Sequence, residues 1–316
     1  MKELSKESVM RPAVDEDSAG QRIDNYLIRH LKGVPKSHVY RILRSGEVRV
    51  NSRRVGPDYR LVAGDRLRLP PLRLAASTAP SGRFEPEILF EDDSMLVINK
   101  PAGMAVHGGS GISLGVIEGL RNTRGEERFL ELVHRLDRDT SGVLMLAKKR
   151  SVLVALHRQL QDGGVGKFYL CLVKGRWQER KRLVDLPLQK RVTAVGERRV
   201  SVDREGSHAV TVFRLQRLIG PYSLLEAELK TGRTHQIRVH LAHLGFPLIG
   251  DDKYGDFALN KSLVKAGLKR MFLHAARATI RHPVSGDRLT FTAELPEVLR
   301  TFIENTKAQK DHAAPV

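Results

Sequence analysis

Residues 132–149 constrain this chain more than any other stretch. Leu132-Val133 leads into His134-Arg135-Leu136-Asp137-Arg138-Asp139-Thr140-Ser141-Gly142, and Val143-Leu144-Met145-Leu146-Ala147 leads out. A charged knot with a short aliphatic run on each side, bounded by glycine and basic residues, predicts two buried strands joined by a loop. Burying His134, Arg135, Asp137, Arg138 and Asp139 together is costly unless they have partners or a task. The loop is therefore expected to be held rigidly between core strands, where catalytic groups are often carried.

Taken alone, the loop allows two readings. One is a salt-bridged turn. The other is the Asp-x-Asp-x-Thr nucleophile loop of haloacid-dehalogenase-like phosphatases, although Thr140 comes one residue too early and His134 and Arg135 break the lead-in run. A longer match exists. Residues 134–142 fit His-Arg-Leu-Asp-x-x-Thr-Ser-Gly in full, and so resemble the RluA-type family of pseudouridine synthases. That resemblance implies that Asp137 is the essential catalytic residue. It also implies that Arg135 fills the space left by an extruded base, with His134 beside it among the RNA-contacting residues.

The chain is long enough, at 316 residues, for two domains with a sizeable core. It has 54 Lys and Arg against 36 Asp and Glu, a formal charge of +18, which points to a polyanionic partner. Aromatic residues are only 5%, so binding is expected to use charge more than stacking. A single cysteine, Cys171, cannot form an internal disulfide; this fits a reducing cytoplasm, and its apolar neighbours mark it as a core residue. No signal peptide, membrane-spanning run or solenoid repeat is visible.

Residues 1–19 are polar and mixed in charge, and are expected to be disordered. Ile23, Leu27 and Leu31 predict a helix, and Ser37 is expected to cap a second one with Val39, Ile42 and Leu43 inward. Basic strand patterns follow to residue 72. Arg22-Ile23-Asp24, Ser37 to Leu43, Gly46 to Asn51 and Ala63-Gly64-Asp65 resemble the S4 RNA-binding domain. Arg41, Arg44, Arg49, Arg53 and Arg54 cluster on one helix face and one hairpin, as phosphate contacts would. The alternative is that they merely solubilise a small module. Residues 73–86, rich in Ala, Ser, Pro and Gly, are expected to be a linker.

A second domain is expected over 87–304, with a flexible tail over 305–316. Asn99-Lys100-Pro101 through Val106-His107, Lys167 to Gly175, Gly232 to His240, Gly250 to Gly255, and Met271 to Ala275 resemble further elements of the same family in family order. Lys100 is expected to be structural or RNA-facing. Tyr169 maps to the family's active-site tyrosine; a packed core aromatic is the alternative. Arg233 maps to the arginine that pairs with the catalytic aspartate. Residues 176–210 are basic and predict a solvated, RNA-facing hairpin region or simply a soluble surface. A zinc site at His235, His240 and His243 has neither zinc-peptidase nor finger spacing and is set aside.

The resemblance implies an α+β protein. A mixed, largely antiparallel sheet with a central cleft forms the catalytic domain, and a small α+β S4-like domain precedes it. It implies uridines of 23S ribosomal RNA, or of a pre-50S particle, as substrate, and a cytoplasmic monomer as the working form. Pseudouridine and uridine are isomers, so no cofactor and no metal is expected. A carboxylate is needed near C1′, where positive charge develops, and Asp137 with Arg233 beside it would supply it. Whether it forms an adduct or acts as a base on the ribose is open, and Tyr169 would stack on uracil or move a proton. Two rivals remain. An N-glycosidase would use Asp137 and Asp139, roughly 7 Å apart on an extended segment. A ribosome-assembly factor would bind RNA without needing Asp137 at all.

Overall fold

In a computed structural model of the chain, residues 8–31, 34–72, 84–108, 114–125, 129–192 and 198–311 are described. They fall into two units, Met1–Ser81 and Gly82–Val316. The division lies within the stretch expected to be a linker, of which residues 73–83 are outside the described residues.

The apolar stripes of the first unit meet in one small core. Helix α1 (Ile23–His30) and helix α2 (Lys36–Arg44) bury Ile23, Leu27, Val39, Ile42 and Leu43. Strands β1 (Arg49–Val50), β2 (Arg53–Arg54) and β3 (Leu67–Arg68) form a sheet in the order β2-β1-β3. Two buried carboxylates tie the loops to it. Asp24 accepts from Arg22 and the Tyr40 hydroxyl, and Asp65 accepts from Asn51, Tyr59 and the Val62 amide.

Two expectations need correcting here. Residues 8–19 are not disordered: Met10 pairs with Leu69 in both directions, and Met10 and Val14 enter the same core. Their apolar side chains had a place to go that the polar composition concealed. Residues 1–7 lie outside the described residues. Ser37 does not cap α2, because Pro35, whose ring pre-sets φ near −57°, occupies that position and the helix is under way at Lys36.

The second unit is built on a sheet of ten strands among the described residues. Its path runs β4 (Glu87–Glu91), β5 (Met95–Lys100), β7 (Ser141–Ala147), β14 (Leu273–Arg281), β8 (Gly166–Lys174), β13 (Tyr222–Leu229), β12 (Val210–Ile219) and β9 (Lys181–Asp185). Strand β6 (Glu131–Leu132) pairs with β7 and β15 (Arg288–Thr292) with β14. β10 (Leu188–Val192) and β11 (Arg198–Val202) form a separate hairpin.

β5 and β7 read as unbroken apolar runs because both faces are covered. Leu96, Ile98, Leu144 and Leu146 join one core with α3 (Val116–Arg124) and α5 (Gln236–His243). Met95, Val97, Val143 and Met145 join another with α4 (Arg150–Gln161). α6 (Phe257–Lys265) and α7 (Glu297–Asp311) cover Leu172 and Phe272. α7 runs past the expected domain end at 304, since Leu299, Phe302 and Ile303 anchor it and Thr306 bonds back to the Phe302 carbonyl. The tail expected from residue 305 is thus helical to Asp311, and residues 312–316 lie outside the described residues. No helix among the described residues is long and apolar enough to cross a membrane.

The mixed character of the sheet decides where the charged loop goes. Among the described residues every strand pair is antiparallel except β7 with β14, which run parallel at His274–Ser141 and Ala275–Gly142. The backbones touch there: a Cβ on Gly142, at φ +111°, would lie 2.2 Å from the Ala275 carbonyl oxygen. Only glycine admits that approach, and it brings the start of β7, with the loop before it, to the middle of the sheet.

Candidate active site

Polar bonds from four directions freeze the 137–141 loop. Thr140 N–H donates to the Asp137 carbonyl at 3.1 Å, and Gly103 N–H to the Arg138 carbonyl at 2.9 Å. Lys100 is fully buried, and its Nζ donates to the carbonyls of Pro101, Met104 and Arg138 at 2.7, 2.8 and 3.0 Å. Arg270 Nη2 donates to Ser141 Oγ at 2.8 Å, and Ser141 Oγ meets His274 Nδ1 at 2.9 Å. Burial, with help from Arg270, pulls the Lys100 amine down to about 7 against the pull of Asp139 and Asp137. Lys100 is thus structural, as expected, and aims the loop.

The loop delivers Asp137 to a cavity of about 550 Å³, wide enough for a nucleoside. Leu136, Tyr169, Ile237 and Leu273 supply apolar wall, and Lys167, Arg233, His235 and Arg238 supply cations or donors. Asp139 is not among its walls; its carboxylate is taken by Arg138. The two acids therefore do not face one site, which removes the paired-carboxylate reading.

The guanidinium on Asp137 is not the expected one. Arg238 Nη1 donates to Asp137 Oδ2 at 3.1 Å, while its Nε and Nη2 grip Asp251 through two bonds of 2.7 Å. Arg238 is 6% exposed and also lies over the Tyr254 ring at 5.1 Å. Burial works against its charge, and Asp251 and Asp137 more than offset that, holding its pKa above the ordinary value. Burial likewise opposes the Asp251 charge, but Arg238 and two backbone N–H groups hold that carboxyl below its usual range. Arg233 is exposed, lines the same cavity, and turns its Nε to the His208 carbonyl at 2.9 Å. The assignment of the pairing arginine to Arg233 is corrected to Arg238. The reason is helical geometry: Arg233 precedes α5, whereas Arg238 sits in its first turn on the side of Ile237 and Leu241. A sequence signal existed. An arginine on the apolar stripe of a short helix needs a buried carboxylate, and Asp251 follows soon after.

Tyr169 is buried on the cavity wall. Burial and the charge of Asp137 push its phenol up, which favours the protonated hydroxyl. Lys167, two residues earlier on the same face of β8, has its amine pulled down by burial. His134, expected to touch RNA, lines the cavity, but its Nε2 accepts from the Met145 amide at 3.2 Å. Burial, first, and nearby Lys167 push it down to about 4, so it is neutral near pH 7. Arg135 is exposed and lines the cavity. The histidines of the discarded zinc reading diverge: His240 is buried with Nδ1 on Thr211 Oγ1 and Nε2 on the Leu186 carbonyl, both 3.0 Å.

Comparison with known proteins gives this site its kind. An RNA pseudouridylate synthase family model matches residues 94–243, and an S4 domain model matches residues 21–67. Ribosomal large subunit pseudouridine synthase C of Escherichia coli (strain K12) is 50% identical over 310 residues, covering 95% of this chain and 97% of that protein. The protein of the same name from Haemophilus influenzae is 48% identical over 311 residues, covering 96% and 97%. The chain belongs to the RNA pseudouridylate synthase family. Among solved structures, human RNA pseudouridylate synthase domain containing 4 has 26% identity and a TM-score of 0.57, covering 70% of this chain and 93% of that one.

The S4 domain of this synthase presents its arginines to solvent. Arg41, Arg44, Arg53 and Arg54 are exposed and Arg49 is half-buried. Arg41 meets His38, Arg44 bonds the Tyr40 carbonyl and Arg49 the Ser52 carbonyl. Among the described residues none of the five pairs with a carboxylate, so their charge is available to phosphate. In the synthase unit the basic hairpin of β10 and β11 roots Leu188 and Val200 on Val239 of α5, which fastens it beside the site.

Proposed function

We propose that this synthase converts uridines of large-subunit (23S) ribosomal RNA, free or in a pre-50S particle, to pseudouridine, with Asp137 as the catalytic residue. The N1–C1′ bond breaks with its electron pair leaving on uracil. The base turns, C5 bonds to C1′, one proton leaves C5 and one joins N1. Nothing is gained or lost, so no cofactor enters. The observation that carries the reading is a carboxylate fixed by Arg238 within a nucleoside-sized cavity, beside a buried tyrosine. Its Oδ2 is committed to Arg238, which leaves Oδ1 toward the sugar. Extrusion of the uridine from its stack costs a few kcal/mol, and Arg135, exposed at the cavity, is placed to occupy the gap. The S4 arginines would supply sequence-independent affinity, and the reaction would take place in the cytoplasm.

The test is tritium release from large-subunit RNA carrying 5-tritiated uridine. Wild-type protein should release tritium without releasing uracil, and Asp137→Asn should bind RNA and release none. Retained turnover in that variant would remove Asp137 from its role, and free uracil would make the protein a glycosidase.

A further inference from the structure

His235 stands at the site with a backbone that few residues accept. Its φ is 54° and ψ 21°, the left-handed region, at the residue just before α5. Such a conformation costs a side-chain-bearing residue about 1 kcal/mol or more and persists where the surroundings enforce it. Here the turn is clamped by Gln236, whose Oε1 accepts from Arg233 N–H and Thr231 Oγ1 and whose Nε2 donates to Val210 O and Thr211 Oγ1. The result turns the imidazole toward Asp137.

The contacts of Tyr254 suit one tautomer of the ring. Val200 N–H donates to the Tyr254 hydroxyl oxygen at 3.0 Å, and that hydroxyl lies 2.8 Å from His235 Nδ1. The hydroxyl has one proton to give, and Nδ1 lies within reach of it. With the phenol proton on Nδ1, the neutral ring carries its own hydrogen on Nε2, which lies 3.9 Å from Asp137 Oδ2, an electrostatic contact and not a hydrogen bond. The charged groups acting on the ring are Asp137 from the 137–141 loop, Arg238 from α5, and Asp251 and Lys253 from the loop of Tyr254. Burial first, and then Arg238 and Lys253, pull the imidazole below its ordinary range against the two carboxylates.

We propose that His235 is a positioning residue for Asp137: with its ring set by Tyr254, its Nε2 edge lies against Oδ2, which the Arg238 guanidinium binds, and so keeps Oδ1 free for the ribose. A protonated ring would need Nδ1–H, which Tyr254 opposes with its own proton. Once formed, that imidazolium would draw the carboxylate into an ion pair and away from C1′. His235 thus sets the acid limb of the rate profile, and Tyr254 keeps that limb low. The inference rests on the reading of Asp137 as the catalytic residue.

The test measures kcat and KM for tritium release from 5-tritiated large-subunit RNA between pH 5 and 9 with the full chain. Asparagine enters the left-handed region readily, so His235→Asn should fold. It should lower kcat roughly tenfold or more with KM within about twofold, and lose the acid limb. Tyr254→Phe keeps the ring under Arg238 but removes the hydroxyl, and should move the acid limb up by roughly one pH unit, the size of one hydrogen bond. Wild-type kcat with an unchanged limb in His235→Asn, or an unmoved limb in Tyr254→Phe, overturns the inference while an inactive Asp137→Asn leaves the underlying reading intact. An active Asp137→Asn overturns both.

Discussion

Asp137 accepts a hydrogen bond from Arg238 at 3.1 Å across 101 positions of sequence. The same guanidinium holds Asp251 through its other edge, so the loop of Asp137 and the Gly250–Gly255 loop are joined through one side chain. A forked donor can serve two carboxylates in fixed directions, whereas a lysine offers a point charge on a flexible stem.

Arg238→Lys should therefore keep the charge and lose the geometry, lowering kcat on the order of 100-fold. Arg233→Ala should act chiefly on KM, because Arg233 touches the cavity but not Asp137. Steady-state tritium release from the two variants separates the roles; equal loss of kcat in both would return Arg233 to the centre.

Replacing Lys100 should hurt stability and catalysis together. Lys100→Met fills the space but takes the amine from the Pro101 and Met104 carbonyls and leaves the Arg138 carbonyl with Gly103 N–H alone, costing about 2 kcal/mol or more. Thermal unfolding should report a lower Tm, and turnover should fall because the Arg138 carbonyl loses one of its two donors. A variant with wild-type Tm would show that the amine is not holding the loop.

Lys167 behaves in the opposite sense. Its half-buried ammonium has no carboxylate partner among the described residues, so folding gains little from it. Lys167→Met should leave Tm unchanged or slightly raised. It should raise KM for RNA severalfold, because the amine can no longer hold a phosphate or a base edge. Unaltered KM would remove Lys167 from the binding surface.

Acid stability should depend on Glu91. Hydrogen bonds from Arg124 first, and then Lys148, outweigh burial and hold its carboxyl at about 2, below its ordinary 4.5. A depressed carboxyl contributes stability that is fully present above pH 4.5 and is lost as pH falls toward 2. Glu91→Gln should accordingly be less stable than wild type at pH 7, with the gap closing across that window. A gap independent of pH would assign the effect to packing.

The S4 arginines make a salt-dependent claim. Substituting Arg53 and Arg54 together by Ala should weaken rRNA binding at low salt. The slope of log K against log salt should become shallower by about 1 for each phosphate that is no longer neutralised. An unchanged slope would leave these arginines as solubilising surface.

Sequence alone determined much of this protein. The loop from His134 to Gly142 and its two apolar flanks carry the proposed catalytic acid, because short-range pattern marks buried strands and a charged knot between them. The stripes of Ile23, Leu27, Val39 and Ile42 likewise announced the S4 helices. Three things were decided only by the tertiary structure. Residues 8–19 joined the first core because Leu69 offered a pairing edge, a long-range partner invisible in a polar composition. The partner of Asp137 was settled by where α5 begins, which places Arg238 in its first turn and leaves Arg233 before it. His235 came to face Asp137 because Gln236 clamps the turn before α5 and Tyr254, from a loop beyond the helix, meets its ring. Local spacing dictates which side chains share a face, whereas the pairing of distant charges depends on how the faces are brought together.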